Sequence, residues 1–166
     1  MIQKPRKGLL VVDVQNGFIS NYTARCLPRI YELIHNGEYD TIIATRFFNP
    51  KGSLFRKQLN WDLLADPTET ALDPEVEAVA DHIVDKTGYS GGEALLDTIR
   101  KEQLEEVTVV GIDTDVCVLI NAALLFDAGI PVSVDTIACA TNGGTKAEQA
   151  AVELLRRYVG RDFVED

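Results

Sequence analysis

Residues Glu106 to Val134 read EVTVVGIDTDVCVLINAALLFDAGIPVSV. Glu106 to Gly111 is a short β-branched run of the kind that forms a strand covered on both faces. Val116, Leu119, Ile120, Ala123 and Leu124 then recur at helical spacing, and Gly129 stands where a left-handed residue closes a helix. Pro131 to Val134 reads as a second strand. Strand, helix and strand in so few residues predict a parallel pair joined by a right-handed crossover.

The same alternation extends outward in both directions. Gly8 to Val14 (GLLVVDV) is almost unbroken apolar sequence, Tyr39 to Thr45 and His82 to Asp85 repeat the pattern, and Asp162 to Val164 offers a last short strand. Between them, Asp73-Pro74 predicts an N-cap followed by a first-turn proline. Ser90 to Glu93 and Thr145 to Glu148 have capping-box spacing. The expectation is an α/β fold with a parallel sheet and helices on both faces, in which ligands bind beyond the carboxyl ends of the strands.

The chain has 166 residues, 46% of them hydrophobic, enough for one domain over residues 1–166 with a core that needs neither disulfide nor metal. Neither a linker nor a repeat interrupts it. Its 16 basic and 26 acidic side chains give a net charge of −10, which argues against nucleic acid or an anionic membrane as partner. No apolar run approaches the roughly 20 residues of a membrane helix. Residues 1–7 carry Lys4, Arg6 and Lys7, but the apolar run after them is too short for a secretory signal, so a cytoplasmic location is expected. Three cysteines without CxxC spacing and two isolated histidines imply no disulfide framework, and no metal is expected.

Three predicted strand ends carry chemistry: Asp13 after the first, Lys86 after the third, and Cys117 in the opening turn of the helix after the fourth. A carboxylate at the edge of an apolar strand is costly unless paired or used. A thiol at a helix N-terminus beside an ammonium is expected to have its pKa lowered toward neutrality. Cys117 is then the nucleophile, Asp13 the base that takes its proton, and Lys86 the cation that orients both. Backbone N–H groups of Asp113 and Cys117 are candidates for an oxyanion hole. Taken singly, each group has a commonplace reading. Cys26 and Cys139 are read as packing residues and Asp135 as a cap or salt-bridge partner. The joint placement of the three is what points to a site.

With LLVVDVQNGF around Asp13, ATRFFNP at 44–50, DKTGYSG around Lys86 and the long block from Gly111 to Thr141, the sequence resembles the isochorismatase-like cysteine hydrolases over nearly its whole length. That family includes nicotinamidases and N-carbamoylsarcosine amidohydrolases. The resemblance implies an α/β/α sandwich around a six-stranded parallel, Rossmann-like sheet. It also implies a catalytic triad of Asp13, Lys86 and Cys117, and a non-proline cis peptide at Ile112-Asp113. Nicotinamidases hold a metal through a pattern like TRDxHP; here Phe47 and Asn49 occupy the ligand positions, so the metal centre is expected to be missing and no cofactor is implied. Isochorismatases that cleave a vinyl ether have a small residue in place of the cysteine, so Cys117 favours acyl chemistry on a small amide or related C–N bond. The alternatives are a vinyl-ether hydrolase with a bystander thiol, a catalytically silent binding protein of the same fold, or a redox sensor. Expected substrate contacts are Gln15, Phe18, Phe48, Trp61 and Tyr89, with Phe47 a further wall and the Gly52 to Leu64 segment a cover. Relatives are commonly dimers or tetramers, so a homodimer or homotetramer with a small-molecule substrate is expected.

Overall fold

The structure is a computed structural model and describes residues 4–166; the first three residues of the N-terminal segment considered above lie outside it. Its centre is a six-stranded sheet in the order β3-β2-β1-β4-β5-β6, every pair parallel. The strands are β1 Lys7–Val12, β2 Thr41–Phe47, β3 His82–Lys86, β4 Glu106–Ile112, β5 Val132–Ala140 and β6 Val164–Glu165. The helices are α1 Leu27–His35, α2 Leu54–Gln58, α3 Pro67–Thr70, α4 Pro74–Val79, α5 Gly92–Lys101, α6 Leu119–Asp127 and α7 Thr145–Val159. Right-handed crossovers from this strand order put α1 and α4 on one face and α5, α6 and α7 on the other; α1 packs on α4, and α6 on α7. None of the described helices is long and apolar enough to cross a membrane.

β1 lies at the centre, and Leu9, Leu10, Val11 and Val12 are wholly buried because helices cover both of its faces. The chain runs outward from β1 through β2 to β3, then returns to lay β4 on the other side of β1. The reversal of strand order therefore falls between β1 and β4. That crevice is where open α/β sheets bind ligands, and the segments entering it are Asp13 onward and Asp113 onward.

Several boundaries differ from expectation for local reasons. β1 stops at Val12, not Val14, because Asp13 adopts φ 49° and turns the chain. β2 starts two residues late, at Thr41. β5 runs on to Ala140 across an irregularity between Val109 and Gly111 in its pairing with β4; the Asp135 carboxylate accepts from the N–H groups of Ile137 and Ala138 there. A 3-10 turn at Arg161–Phe163 displaces β6 to Val164–Glu165. Asp73 caps α4 through bonds from Glu75 N and Val76 N, as its Asp-Pro start predicts.

The two capping boxes do not form. Gly91 and Gly144 are the N-caps of α5 and α7, and the acids in the expected boxes reach arginines instead, Glu93 to Arg100 and Glu148 to Arg25. The buried face of α6 is also rotated from the expected one. Cys117, Val118, Asn121, Ala122 and Leu125 are buried, while Val116, Leu119, Ile120, Ala123 and Leu124 are half-buried. The cause is a π turn at Thr114–Val118, whose wider winding shifts the phase of the helix that follows. Gly129 closes α6 at φ 75°, in the left-handed conformation its position predicts.

Candidate active site

The crevice between β1 and β4 receives side chains from three strand ends. Asp13 is fully buried, and its left-handed turn aims the carboxylate along the sheet edge. Thr45, the neighbour of Val12 on β2, donates its hydroxyl to Asp13 Oδ1 at 2.7 Å and accepts from Asp13 N at 3.1 Å. The other carboxylate oxygen, Oδ2, has no hydrogen bond of good geometry but lies 2.7 Å from Lys86 Nζ. One oxygen is thus fixed by a neutral donor, and the other faces the cation.

Lys86 ends β3, opposite Phe47 in the register. Its ammonium has three N–H bonds. Two are directed at the carbonyls of Gly88, at 2.9 Å, and Tyr89, at 3.0 Å, and Nζ also lies 3.6 Å from Cys117 Sγ. Asp13, Lys86 and Cys117, 104 residues apart from first to last, meet within hydrogen-bonding reach of the one ammonium. The ammonium lies over the Phe47 ring, with Nζ 5.1 Å from its centroid.

Cys117 is 7% exposed. The expected lowering of its pKa does not hold. Burial pushes the thiol up, the Asp13 carboxylate pushes it further, and the Lys86 ammonium opposes both without prevailing. At neutral pH the resting group is therefore a thiol, not a thiolate at a helix end. A helix end and a neighbouring ammonium lower a thiol's pKa only where burial does not outweigh them, and Cys117 is almost wholly buried. Asp113 is raised as well, to about 6, because burial outweighs the two bonds that its carboxylate accepts from Asn142.

The sulfur opens into a cavity of about 220 Å³ lined by Phe18, Phe47, Phe55, Leu59, Trp61, Tyr89, Asp113, Val116 and Cys117. Its walls interlock: Phe18 stacks on Trp61 with centroids 6.0 Å apart, and Phe55 meets Phe47 and Tyr89 edge-on at 5.0 Å each. Of the expected contacts, Phe18, Trp61 and Tyr89 line this space. Gln15 does not. It is fully buried, its amide donates to Phe47 O and Thr70 O, and its carbonyl accepts from Phe47 N, so it straps the loop after β1 to β2. Phe48 does not either, because strand alternation turns it to the opposite side, under the Arg46 guanidinium.

Sequence reasoning missed Phe55, Leu59 and Val116 as walls and Thr45 as the partner of Asp13. Phe55 had a usable signal. Ser53 is a serine N-cap whose hydroxyl accepts from Arg56 N, so a short helix could be placed in the Gly52 to Leu64 cover with Phe55 on it. The cavity of about 310 Å³ lined in part by Lys7, Arg29, Glu38, Tyr39 and Asp135 includes none of the three strand-end residues, and its Lys7–Glu106 and Arg29–Asp135 charges are already paired.

The positions where a metal would be held do not suit one. Phe47 has no donor atom, and Asn49 is used up: its amide donates to Trp61 O and Leu63 O, and its carbonyl accepts from Ser53. Among the described residues no three His, Cys, Asp or Glu side chains are grouped to hold a cation.

Ile112-Asp113 is a cis peptide, as the resemblance implies. Solved structures share the fold across almost the entire chain. An isochorismatase-like hydrolase from Alkaliphilus metalliredigens superposes with a TM-score of 0.82 at 16% identity, covering 97% of this chain and 92% of that one. The pyrazinamidase of Pyrococcus horikoshii, solved in complex with zinc, gives 0.80 at 20% identity over 97% and 98% of the two chains. A nicotinamidase from Staphylococcus aureus gives 0.74 at 23% identity over 93% and 94%. No curated protein matches the chain significantly in sequence. The isochorismatase domain family matches residues 7–161, nearly the whole length, and the chain belongs to that family of hydrolases.

Proposed function

We propose that the protein is a metal-independent cysteine hydrolase that cleaves a small amide or related C–N bond through a thioester acyl-enzyme. One observation carries this reading: the Lys86 ammonium sits 2.7 Å from Asp13 and 3.6 Å from the sulfur of Cys117, a residue that lines an aromatic cavity. As the sulfur attacks the carbonyl carbon, its proton passes to Asp13. The C–O π bond becomes an oxyanion, held by the backbone N–H groups of Asp113 and Cys117. Collapse breaks the C–N bond, and the leaving nitrogen takes the proton from Asp13. Water, deprotonated by the same carboxylate, then attacks the thioester to release the acid and restore the thiol.

The raised thiol pKa suits this sequence, because a neutral thiol that loses its proton as it attacks needs a base in contact. Asp13 is that base, and Thr45 keeps its other oxygen occupied. Chemistry without a metal is supported by the donor-free Phe47 and the fully bonded Asn49. A cavity near 220 Å³ lies below the roughly 300–1,000 Å³ typical of drug-sized ligands, so the substrate is small and has an apolar face.

The test is a panel of small primary amides, ureido acids and isochorismate assayed for ammonia and acid products with wild type, Cys117→Ala and Cys117→Ser. Ammonia release that disappears in both variants supports the reading. Isochorismate turnover that survives both assigns the vinyl-ether chemistry instead.

A further inference from the structure

The turn that follows Lys86, Thr87 to Gly92, contains three glycines and so has little conformational preference of its own. Yet two of its carbonyls, Gly88 O and Tyr89 O, fix the Lys86 ammonium. Something must hold the turn if the ammonium is to stay against the sulfur. Among the described residues, two side chains hydrogen-bond to it: Lys86 itself and Asn121.

Asn121 lies on α6, one turn beyond Cys117, and is fully buried among Val118, Ala122 and Leu125. An asparagine is a poor choice for such a helix face on propensity, and burying its amide is unfavourable unless every polar atom is matched. Here each is. Oδ1 accepts from Gly91 N at 2.8 Å, while Nδ2 donates to Cys117 O at 2.7 Å and to Tyr89 O at 3.2 Å. The orientation of the amide is unambiguous, because one neighbour is an N–H and the other two are carbonyls. Tyr89 O is shared: it accepts from both Asn121 Nδ2 and Lys86 Nζ. A continuous path thus runs from the Cys117 carbonyl through the Asn121 amide and Tyr89 O to the Lys86 ammonium, which returns to the Cys117 sulfur.

We propose that Asn121 is a positioning residue of this site, whose amide clamps the glycine-rich turn after β3 to the nucleophile turn and thereby holds the Lys86 ammonium against Cys117. The inference rests on the cysteine-hydrolase reading for its consequence in turnover, but not for its effect on the thiol. Asn121 does not touch the reacting atoms. Without it, the turn keeps its covalent path but loses its tie to α6, and the ammonium that opposes the effects of burial and of Asp13 on the thiol moves with it.

The experiment follows alkylation of Cys117 by iodoacetamide across pH, with peptide mass spectrometry separating Cys117 from Cys26 and Cys139. Three variants are compared with wild type. Asn121→Asp is isosteric and keeps an acceptor for Gly91 N but removes both donated bonds. Asn121→Ser is milder: its hydroxyl can bond the carbonyl four residues back but is too short to reach Tyr89 O. Leu125→Ala, on the same buried face, is a control that loosens the helix without touching the turn. The midpoint of the alkylation profile should rise by about one pH unit or more in both Asn121 variants. It should stay at the wild-type value in Leu125→Ala even as Tm falls. On an amide substrate, kcat should drop by about tenfold or more with KM nearly unchanged. An unchanged midpoint in either folded Asn121 variant, or an equal shift in Leu125→Ala, overturns the proposal. Full amide turnover by Cys117→Ala would instead overturn the cysteine mechanism, and the alkylation midpoints would still decide the role of Asn121.

Discussion

Replacing Lys86 by methionine removes one charge and little volume, and its consequence can be worked out from the packing. The ammonium and its Asp13 partner are 3% and 0% exposed, so neither charge can be rehydrated when the other is lost. Truncating one member of a buried ion pair costs about 3–5 kcal/mol, because the remaining charge stays buried without a partner. Asp13 would keep only its Thr45 hydroxyl, and Gly88 O would lose its donor. A loss of that size is a large share of the roughly 5–15 kcal/mol that holds a domain folded. Replacing both members, Asp13→Asn with Lys86→Met, removes the stranded charge, and the loss should shrink to about 1–2 kcal/mol. The double variant should therefore be more stable than Lys86→Met alone by about 2 kcal/mol. Urea unfolding followed through the single tryptophan, Trp61, reads this directly, since its ring stacks on Phe18 beside the site. A Lys86→Met protein within about 0.5 kcal/mol of wild type, or single losses that simply add, would refute the buried-pair account.

Asp113, whose pKa is raised to about 6 from an ordinary 3.8, favours the folded state fully below pH 3.8 and loses that contribution as pH rises through 6. Over that window wild type should lose up to about 3 kcal/mol relative to Asp113→Asn, seen as converging or crossing unfolding curves; parallel pH profiles would contradict the burial argument. Amide hydrolysis should persist after exhaustive dialysis against a chelator, and activity that vanishes and returns with zinc would contradict metal-independent chemistry. Gly111 has φ 125°, and a Cβ there would lie 2.2 Å from Val12 O, so Gly111→Ala should lower Tm by about 10 °C or more. A wild-type Tm in that variant would mean that β1 and β4 can separate more easily than their register implies.

The architecture was legible because the strands announce themselves by short β-branched runs and the later crossovers by caps or helical periodicity, while α1 between β1 and β2 was not singled out. Those signals are local, and so they survive without tertiary knowledge. Asp13, Lys86 and Cys117 could be placed at one edge for the same reason: parallel strands put their carboxyl ends together. What escaped was what depends on three-dimensional phase. The π turn before α6 exchanged the buried and half-buried faces of that helix, and nothing in the periodicity of Val116 to Leu124 marks it. Gln15 and Phe48 looked like pocket residues by proximity, but side-chain direction along an extended chain alternates, and Gln15 found backbone partners inside the protein. The thiol was misjudged because a helix N-terminus is visible in sequence and its burial is not.

The central claim is that Cys117 carries the acyl group between two half-reactions. Rapid acid quench of wild type during turnover of an amide substrate, followed by intact-mass and peptide mass spectrometry, tests it most directly. The account predicts a mass increase equal to the acyl fragment on the peptide containing Cys117, absent from Cys117→Ala. Steady turnover by Cys117→Ala with no adduct at that position would contradict it.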